Sequence, residues 1–245
     1  WEVNKIEIFL EKYKKKTILN FEDEKKQLFS IIKNYKLYDL LNKNLKNSKF
    51  FKRKKLLSNK FLNNDIYQII INCDPNNLLT KKFFYKNIKK NYKSRAYVSI
   101  IKHKKLLQNN TAYQVFTKFG PIAFLPVSEV ETSVVYSVKN KENLNKNNID
   151  DLIRKYNPKY YILKTEKIES FELISSNLRS YYHKNILAFG DLLHKIHPLA
   201  GQGFNMSIRD IKQLLDIINN RINLGLELDS SLCLEFEKKI KYKNY

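Results

Sequence analysis

The sequence predicts an α/β (α+β) protein, with strand–loop–helix segments of the kind that build open α/β sheets near both ends and an antiparallel β-sheet between them. Three observations carry this. Ile186 to Phe189 is a short apolar run closed by Gly190-Asp191, the pattern of a buried parallel strand at its carboxyl edge. Asn205 to Asn220 then sets Met206, Ile208, Ile211, Leu214, Leu215, Ile217 and Ile218 at helical spacing. From Lys93 to Val138 the pattern turns to period two in successive short runs, which implies antiparallel pairing.

Composition bounds the function classes. The 245 residues suffice for one large domain or two smaller ones. A hydrophobic content of 43% with sixteen Tyr and fifteen Phe belongs to a folded chain. No apolar run approaches membrane-spanning length, and no stretch reads as a secretory signal. Two cysteines, Cys73 and Cys233, give no disulfide framework and fit a reducing, cytoplasmic compartment. Forty-six Lys+Arg against twenty-four Asp+Glu leave a net charge of +22, which raises a nucleic-acid-binding reading. Its details weaken that reading. Only six of the basic residues are arginine, the side chain that forks onto guanine and phosphate, and the rest are lysine. Lys, Asn, Ile, Tyr and Phe abound together, as codon drift in an AT-rich genome would produce. No specific nucleic acid is expected, and peripheral contact with an anionic inner-membrane face is the more informative use of the charge.

In chain order, Glu2 to Phe9 alternates loosely and reads as a strand, followed by a second at Thr17 to Phe21. Leu28 to Leu45 is helix-compatible at least from Tyr38 onward. Phe50 to Lys60 is a basic run centred on Lys52-Arg53-Lys54-Lys55, the composition of a solvated face. Asp65 to Asp74 reads as a buried strand ending in Cys73-Asp74, with Pro75 excluding a tight glycine turn. The period-two runs are Ser94 to Ile101, Ala112 to Phe116, Ile122 to Val127 and Ser133 to Val138, with Phe119-Gly120-Pro121 as a turn. Asn148 to Tyr156 is a short helix and Tyr160 to Leu173 a returning strand. Asn205 is the expected N-cap of the long helix, Gly225 its stop, and Ser230 to Tyr245 begins another helix.

Asn185 to Asp210 organises the rest. Gly190, Gly201 and Gly203, three of the chain's five glycines, sit in it together with Pro198. A strand ending in an acid, a glycine loop and a helix N-terminus with free N–H groups make half of a nucleotide-type cofactor site. A zinc site on His194 and His197 would need further ligands, and none is offered nearby, so no metal is expected.

The string G-D-x-x-H-x-x-H-P-x-A-G-Q-G-x-N-x-x-x-R-D, from Gly190 to Asp210, resembles the second flavin-binding motif of the para-hydroxybenzoate-hydroxylase-like FAD monooxygenases, most closely their ubiquinone-biosynthesis hydroxylase branch. The segment T-A-Y-Q-V-F-T-K-F-G-P-I-A-F-L-P-V resembles the same family's substrate-domain signature, F-T-x-x-G-P-x-A-x-L-P, in the expected order. The resemblance implies an incomplete FAD-binding Rossmann-like domain, from residues 1–80 and 176–245, around an antiparallel substrate-binding domain at 81–175. It implies FAD as cofactor, NAD(P)H as reductant, O2, and hydroxylation of a prenylated phenol, with the flavin rather than any side chain carrying the chemistry. Asp191 would hydrogen-bond the ribityl region and Pro198 lie beside the isoalloxazine. The backbone of Gly201, Gln202, Gly203, Phe204 and Asn205 would point N–H groups at the flavin N1/O2 edge, with Gly190 shaping the approach. Cys73-Asp74 resembles the family's G-A-D-G turn and adds Asp74 as a candidate.

The chain departs from the family at several positions. Tyr35 stands where the family has a flavin-side arginine, Leu78 and Lys81 replace a serine and an arginine, and Leu192-Leu193 replace two alanines. No G-x-G-x-x-G follows an opening strand, the chain starts at Trp1, and the last helix is cut at Tyr245, so a fragment of a longer enzyme or a decayed gene is expected. A non-catalytic remnant or scaffold subunit that no longer holds FAD is the competing reading, and a basic nucleic-acid-binding protein is a third, resting on charge alone.

Overall fold

The computed structural model describes residues 1–13, 17–23, 26–54, 67–139, 145–196 and 202–242. In chain order the elements are β1 (Glu2–Val3), β2 (Lys5–Leu10), β3 (Thr17–Glu22), β4 (Phe29–Ser30), α1 (Asn34–Lys46), β5 (Ile70–Asn72), α2 (Leu78–Phe83), β6 (Asn87–His103), β7 (Thr111–Thr117), β8 (Gly120–Pro126) and β9 (Glu131–Lys139). They continue with α3 (Lys146–Tyr156), β10 (Ile162–Thr165), β11 (Glu169–Leu178), β12 (Tyr182–His183), β13 (Ile186–Ala188), β14 (His194–Lys195), α4 (Gln202–Asn223) and α5 (Ser230–Lys241).

The chain divides into two compact units, one of Trp1–Lys54 with Lys93–Glu172, the other of Lys55–Tyr92 with Leu173–Tyr245. Residues 1–80 were expected to fall together, and strand pairing is why they do not. β2 lies parallel to β7, from Lys5↔Thr111 to Leu10↔Phe116, which draws the opening strands into the antiparallel sheet. β5 instead pairs with β13 in the other unit.

In the first unit the strand order is β10-β6-β9-β8-β7-β2-β3, and every contact except β2–β7 is antiparallel. Period-two alternation sends Tyr97, Val115, Ile122 and Tyr136 to one face. There α3 lays down Ile149, Ile153 and Tyr156, a spacing of four and three residues that forms one helical stripe. Tyr156 meets Tyr136 edge-on with ring centroids 6.5 Å apart. α3 starts in a capping box between Asn145 and Asn148. The opposite face carries a cross-strand row of Ile8, Gln114, Ala123, Val135 and Val98, all half-buried and none charged.

A carboxylate ties the 3-10 turn after β2 to this core. Glu11 accepts hydrogen bonds from Tyr156 Oη at 2.7 Å and from the Lys118 N–H at 2.7 Å. Desolvation by itself raises the Glu11 pKa. These hydrogen bonds, with the charges of Lys155 and Lys118, outweigh it and hold the carboxyl below its ordinary value of 4.5. A depressed carboxylate contributes stability that is complete above the unfolded-state pKa and is lost as pH falls through the folded value. Glu11→Gln is therefore expected to lower stability near neutral pH by about 1 kcal/mol and to flatten the acid limb of the stability profile below about pH 4.5. Urea unfolding at several pH values checks this, and a variant with an unchanged acid limb would exclude the linkage.

In the second unit β13 pairs parallel with β5 and antiparallel with β12. The hairpin between β12 and β13 turns at Lys184, φ 53°. Leu187, Leu193, Leu214, Ile217, Leu232, Phe236 and Ile240 form the core under α4 and α5. α4 ends as predicted at Gly225, φ 66°, where the Leu226 N–H reaches the Arg221 carbonyl at 2.8 Å. Asp229 caps α5 by accepting from the Ser231 N–H at 2.9 Å.

One expectation changes. The strand expected over Asp65 to Asp74 has β5 as its described part; Ile71 is 49% exposed, because β5 lies at the margin of its sheet, while residues 55–66 lie outside the described residues. α1, Asn34–Lys46, contains the stretch from Tyr38 onward that was expected to be helical, and no residue of it is buried.

Candidate cofactor site

β13 ends where its apolar run ends. Ile186, Leu187, Ala188 and Phe189 are all buried, and the chain then turns at Gly190, whose φ of 63° favours glycine. The Leu193 N–H closes this turn onto the Gly190 carbonyl at 2.9 Å. Asp191, in the 3-10 turn Gly190–Leu192, is exposed at the carboxyl end of the strand, as the sequence predicts. The parallel register Ala188↔Asn72 brings the ends of β5 and β13 to the same sheet edge, so Cys73-Asp74 and Gly190-Asp191 leave the sheet side by side.

The turn after β5 replaces the missing glycine with side-chain hydrogen bonds. Buried Asn72 donates to Thr80 Oγ1 at 2.9 Å and accepts from Asn77 Nδ2 at 2.7 Å, while Asn77 caps α2 through the Thr80 N–H at 2.9 Å. Asp74 Oδ1 accepts from the Asn76 N–H at 2.8 Å. That is an Asx-type turn around Pro75, and it occupies one oxygen of the candidate acid.

On the other side of the motif, α4 starts at Gln202, so Asn205 is inside the first turns and not the N-cap. Gly203 adopts helical backbone without strain, which lets the helix run back past the expected cap. Gln202, Phe204 and Asn205 are exposed and Gly203 is half-buried. Pro198, Gly201 and His197 lie outside the described residues. α4 packs against the Gly190–Leu192 turn, which joins the two halves of the motif.

The glycines test whether the chain fits a cofactor. Among the described residues, a Cβ built at Gly203 would meet only Ile196 Cγ1, at 3.9 Å, and one built at Gly190 would meet nothing within 4 Å. Among the described residues, packing therefore does not require glycine at Gly203, and none of them fills the space beside either glycine. Leu192 and Leu193 do not fill it, since both are buried in the core. The fit to FAD's flavin end is thus steric and chemical, with an exposed acid on one side and a glycine-bearing helix start on the other. Tyr35, 59% exposed near the start of α1, is in the first unit.

Sequence reasoning missed a buried charge. His194 Nε2 lies 2.6 Å from Asp210 Oδ2, and Arg209 donates to Asp210 Oδ1 through Nε at 3.0 Å and Nη2 at 2.8 Å. The signal was present in the helix pattern, because Asp210 falls on the same stripe as Leu214 and Ile217, where a lone charge needs partners. Among the described residues no group of three or more potential metal ligands occurs. The buried Cys233 thiol is pushed up to about 11 by burial and is not a nucleophile at neutral pH.

A family profile described as FAD binding domain matches residues 91–223, more than half of the chain. The ubiquinone biosynthesis monooxygenase COQ6 of Danio rerio is 24% identical over 219 residues, covering 72% of this chain and 45% of that protein. The 3-demethoxyubiquinol 3-hydroxylase of Escherichia coli is 31% identical over 122 residues, covering 47% of this chain and 31% of that protein. The chain thus spans less than half the length of either relative. Among solved structures, pqsL of Pseudomonas aeruginosa, a probable FAD-dependent monooxygenase, superposes with a TM-score of 0.73 at 14% identity over 98% of this chain and 74% of that one, a likeness of fold. The flavin-dependent halogenase CmlS superposes with a TM-score of 0.56 at 13% identity over 72% of this chain and 34% of that one. The profile match covers more than half of the chain and reaches from the antiparallel strands through the glycine motif into α4, and on that match the chain belongs to the FAD binding domain family.

Proposed function

We propose that the chain supplies the substrate sheet and the flavin-side half of the cofactor site of an FAD-dependent aromatic-ring monooxygenase, which hydroxylates a prenylated phenol in ubiquinone biosynthesis with NAD(P)H and O2. The observation that carries the reading is Gly203, a glycine at the start of a helix that neither its helical backbone nor its neighbours among the described residues require. When bound, FAD supplies the redox chemistry that activates oxygen. The chain's own groups bind and orient. Asp191 accepts a hydrogen bond from the ribityl region, and the first N–H groups of α4 face the electron-rich edge of the isoalloxazine. The uncharged row of Ile8, Gln114, Ala123, Val135 and Val98 offers a prenylated ring a wall of mainly apolar side chains.

Two substitutions test the site. Asp191→Ala is expected to weaken FAD binding by about 1.5–3 kcal/mol, the loss of a charge-assisted hydrogen bond. Gly203→Ala is expected to leave the thermal stability of the cofactor-free chain unchanged, or to raise it by up to about 1 kcal/mol, while lowering FAD affinity. Fluorescence quenching titration and thermal melts read both. Unchanged FAD affinity in folded Asp191→Ala would remove Asp191 from the site, and equal losses of stability and affinity in Gly203→Ala would mean that the glycine serves folding.

The non-catalytic remnant is favoured by one observation, the Asp74 carboxylate already engaged by the Asn76 N–H. Absence of FAD binding by the intact protein would select it.

Peripheral contact with an anionic membrane face is part of the proposal. No helix among the described residues is long and apolar enough to cross a membrane, and Lys52, Arg53 and Lys54 are exposed. Binding to anionic vesicles should exceed binding to neutral ones and fade with salt. A defined nucleic-acid sequence bound far more tightly than random sequence at physiological salt would reverse this use of the charge.

A further inference from the structure

The geometry points to His194, Asp210 and Arg209 as a positioning brace that holds the two sides of the cofactor edge in register. Its purpose, though not its existence, rests on the FAD reading above. Asp210 is 0% exposed and His194 3%. A buried carboxylate is unfavourable unless its oxygens are satisfied, and here the two are divided between partners. Arg209 takes Oδ1 through Nε and Nη2, and His194 Nε2 takes Oδ2. With an ionised Asp210, Nε2 must carry the imidazole proton. Nδ1, buried and without a hydrogen-bond partner among the described residues, is then the bare nitrogen.

Packing alone gives no reason for this cluster. Apolar residues of the same volume at the core stripe of α4 would serve stability as well or better, which makes a polar cluster here a device for fixing geometry. What it fixes follows from where its members sit. His194 lies three positions after Asp191, on β14, whose backbone is anchored by the pairing Asn177↔His194. Asp210 lies on α4, sixteen positions further along the chain. The bond therefore spans from β14, directly after the turn that carries Asp191, to the helix that carries Gly203 and Asn205. Apolar contact between the acid's turn and the helix is not directional and would fix their relative geometry less tightly than this bond does.

The test uses the full chain and the variants His194→Ala, His194→Gln and Asp210→Asn. Three readouts are taken: the His194 tautomer from long-range 1H–15N NMR of the unaltered protein, amide exchange along Gly190–Leu193 and Phe204–Ile208 with β7 and β8 as internal reference, and FAD affinity by ultrafiltration. The expected tautomer has the proton on Nε2. His194→Ala and Asp210→Asn should speed exchange in the two segments by about tenfold or more with β7 and β8 unchanged. His194→Gln keeps an N–H donor for Oδ2 and should stay within about threefold of the unaltered chain. FAD affinity should fall in the same order as exchange rises. An Nε2 without a proton overturns the brace, as does His194→Gln behaving like His194→Ala, or exchange that rises equally in β7 and β8. If the unaltered protein fails to bind FAD, the cofactor reading falls while tautomer and exchange still decide the brace.

Discussion

Phe236→Ala is expected to lower the stability of the second unit by about 3–5 kcal/mol, a large share of the roughly 5–15 kcal/mol that holds a typical domain folded. Phe236 is 0% exposed on α5, and its ring lies 5.6 Å from that of Phe189 at an interplanar angle of 32°. Leu187, Ile217, Leu232 and Ile240 belong to the same buried cluster, so the cavity left by truncation has few ways to collapse. Phe189 directly precedes Gly190-Asp191, and the same change removes the ring against which the end of β13 is set. The midpoint of urea unfolding, with an unchanged slope, reads the effect. A loss below about 1 kcal/mol would mean that the cavity collapses or that Phe236 is not the centre of this core.

Gly120→Ala is expected to act on the other unit, and for a different reason. Gly120 opens β8 with φ 141°, a conformation that side chains rarely adopt. A Cβ there would stand 2.1 Å from the Ser137 carbonyl oxygen of β9. That obstacle is backbone in a hydrogen-bonded ladder, so it cannot rotate away as a flexible side chain would. Strain of about 1–3 kcal/mol from the dihedral and about 1–3 kcal/mol from the overlap predict a total loss of roughly 2–6 kcal/mol. Gly225→Ala is the control. Its φ is 66°, but a Cβ would meet nothing within 4 Å, so about 1 kcal/mol is expected. Thermal melts of the two variants compare them, and equal losses would contradict the close approach at Gly120.

The antiparallel strands were legible because alternation survives wherever one face of a sheet is buried. Ile122 and Phe124 inward, Ala123 and Leu125 half-buried on the other side, is a pattern that no helix produces. The glycine motif was legible because few sequences put a strand, an acid, a glycine pair and a helix at that spacing. The helix start was misplaced by three residues at Asn205. A side chain that can cap does so only if the chain before it leaves helical backbone, and Gln202-Gly203 does not. The turn after β5 looked damaged on the criterion of glycine alone. Asn72, Asn77 and Thr80 rebuild it with side-chain hydrogen bonds whose partners are five and eight positions apart.

By itself, the sequence determined the types of the longer elements, though not the helix α2 or the division of the strand expected over Tyr160 to Leu173 into β10 and β11, together with the parallel character of β13, the end of α4 at Gly225 and the membership of a flavin family, because each depends on neighbours within a few residues or on a motif of fixed spacing. Three matters were decided only by tertiary structure: that β2 joins β7 and carries the first strands into the antiparallel unit, that Asp191 and Asp74 leave adjacent parallel strands at one sheet edge, and that His194 meets Asp210. Each is a contact between residues distant along the chain. Its free energy comes from pairing and burial that local propensity does not contain, so no window of sequence records which partner a strand edge or a buried carboxylate will find.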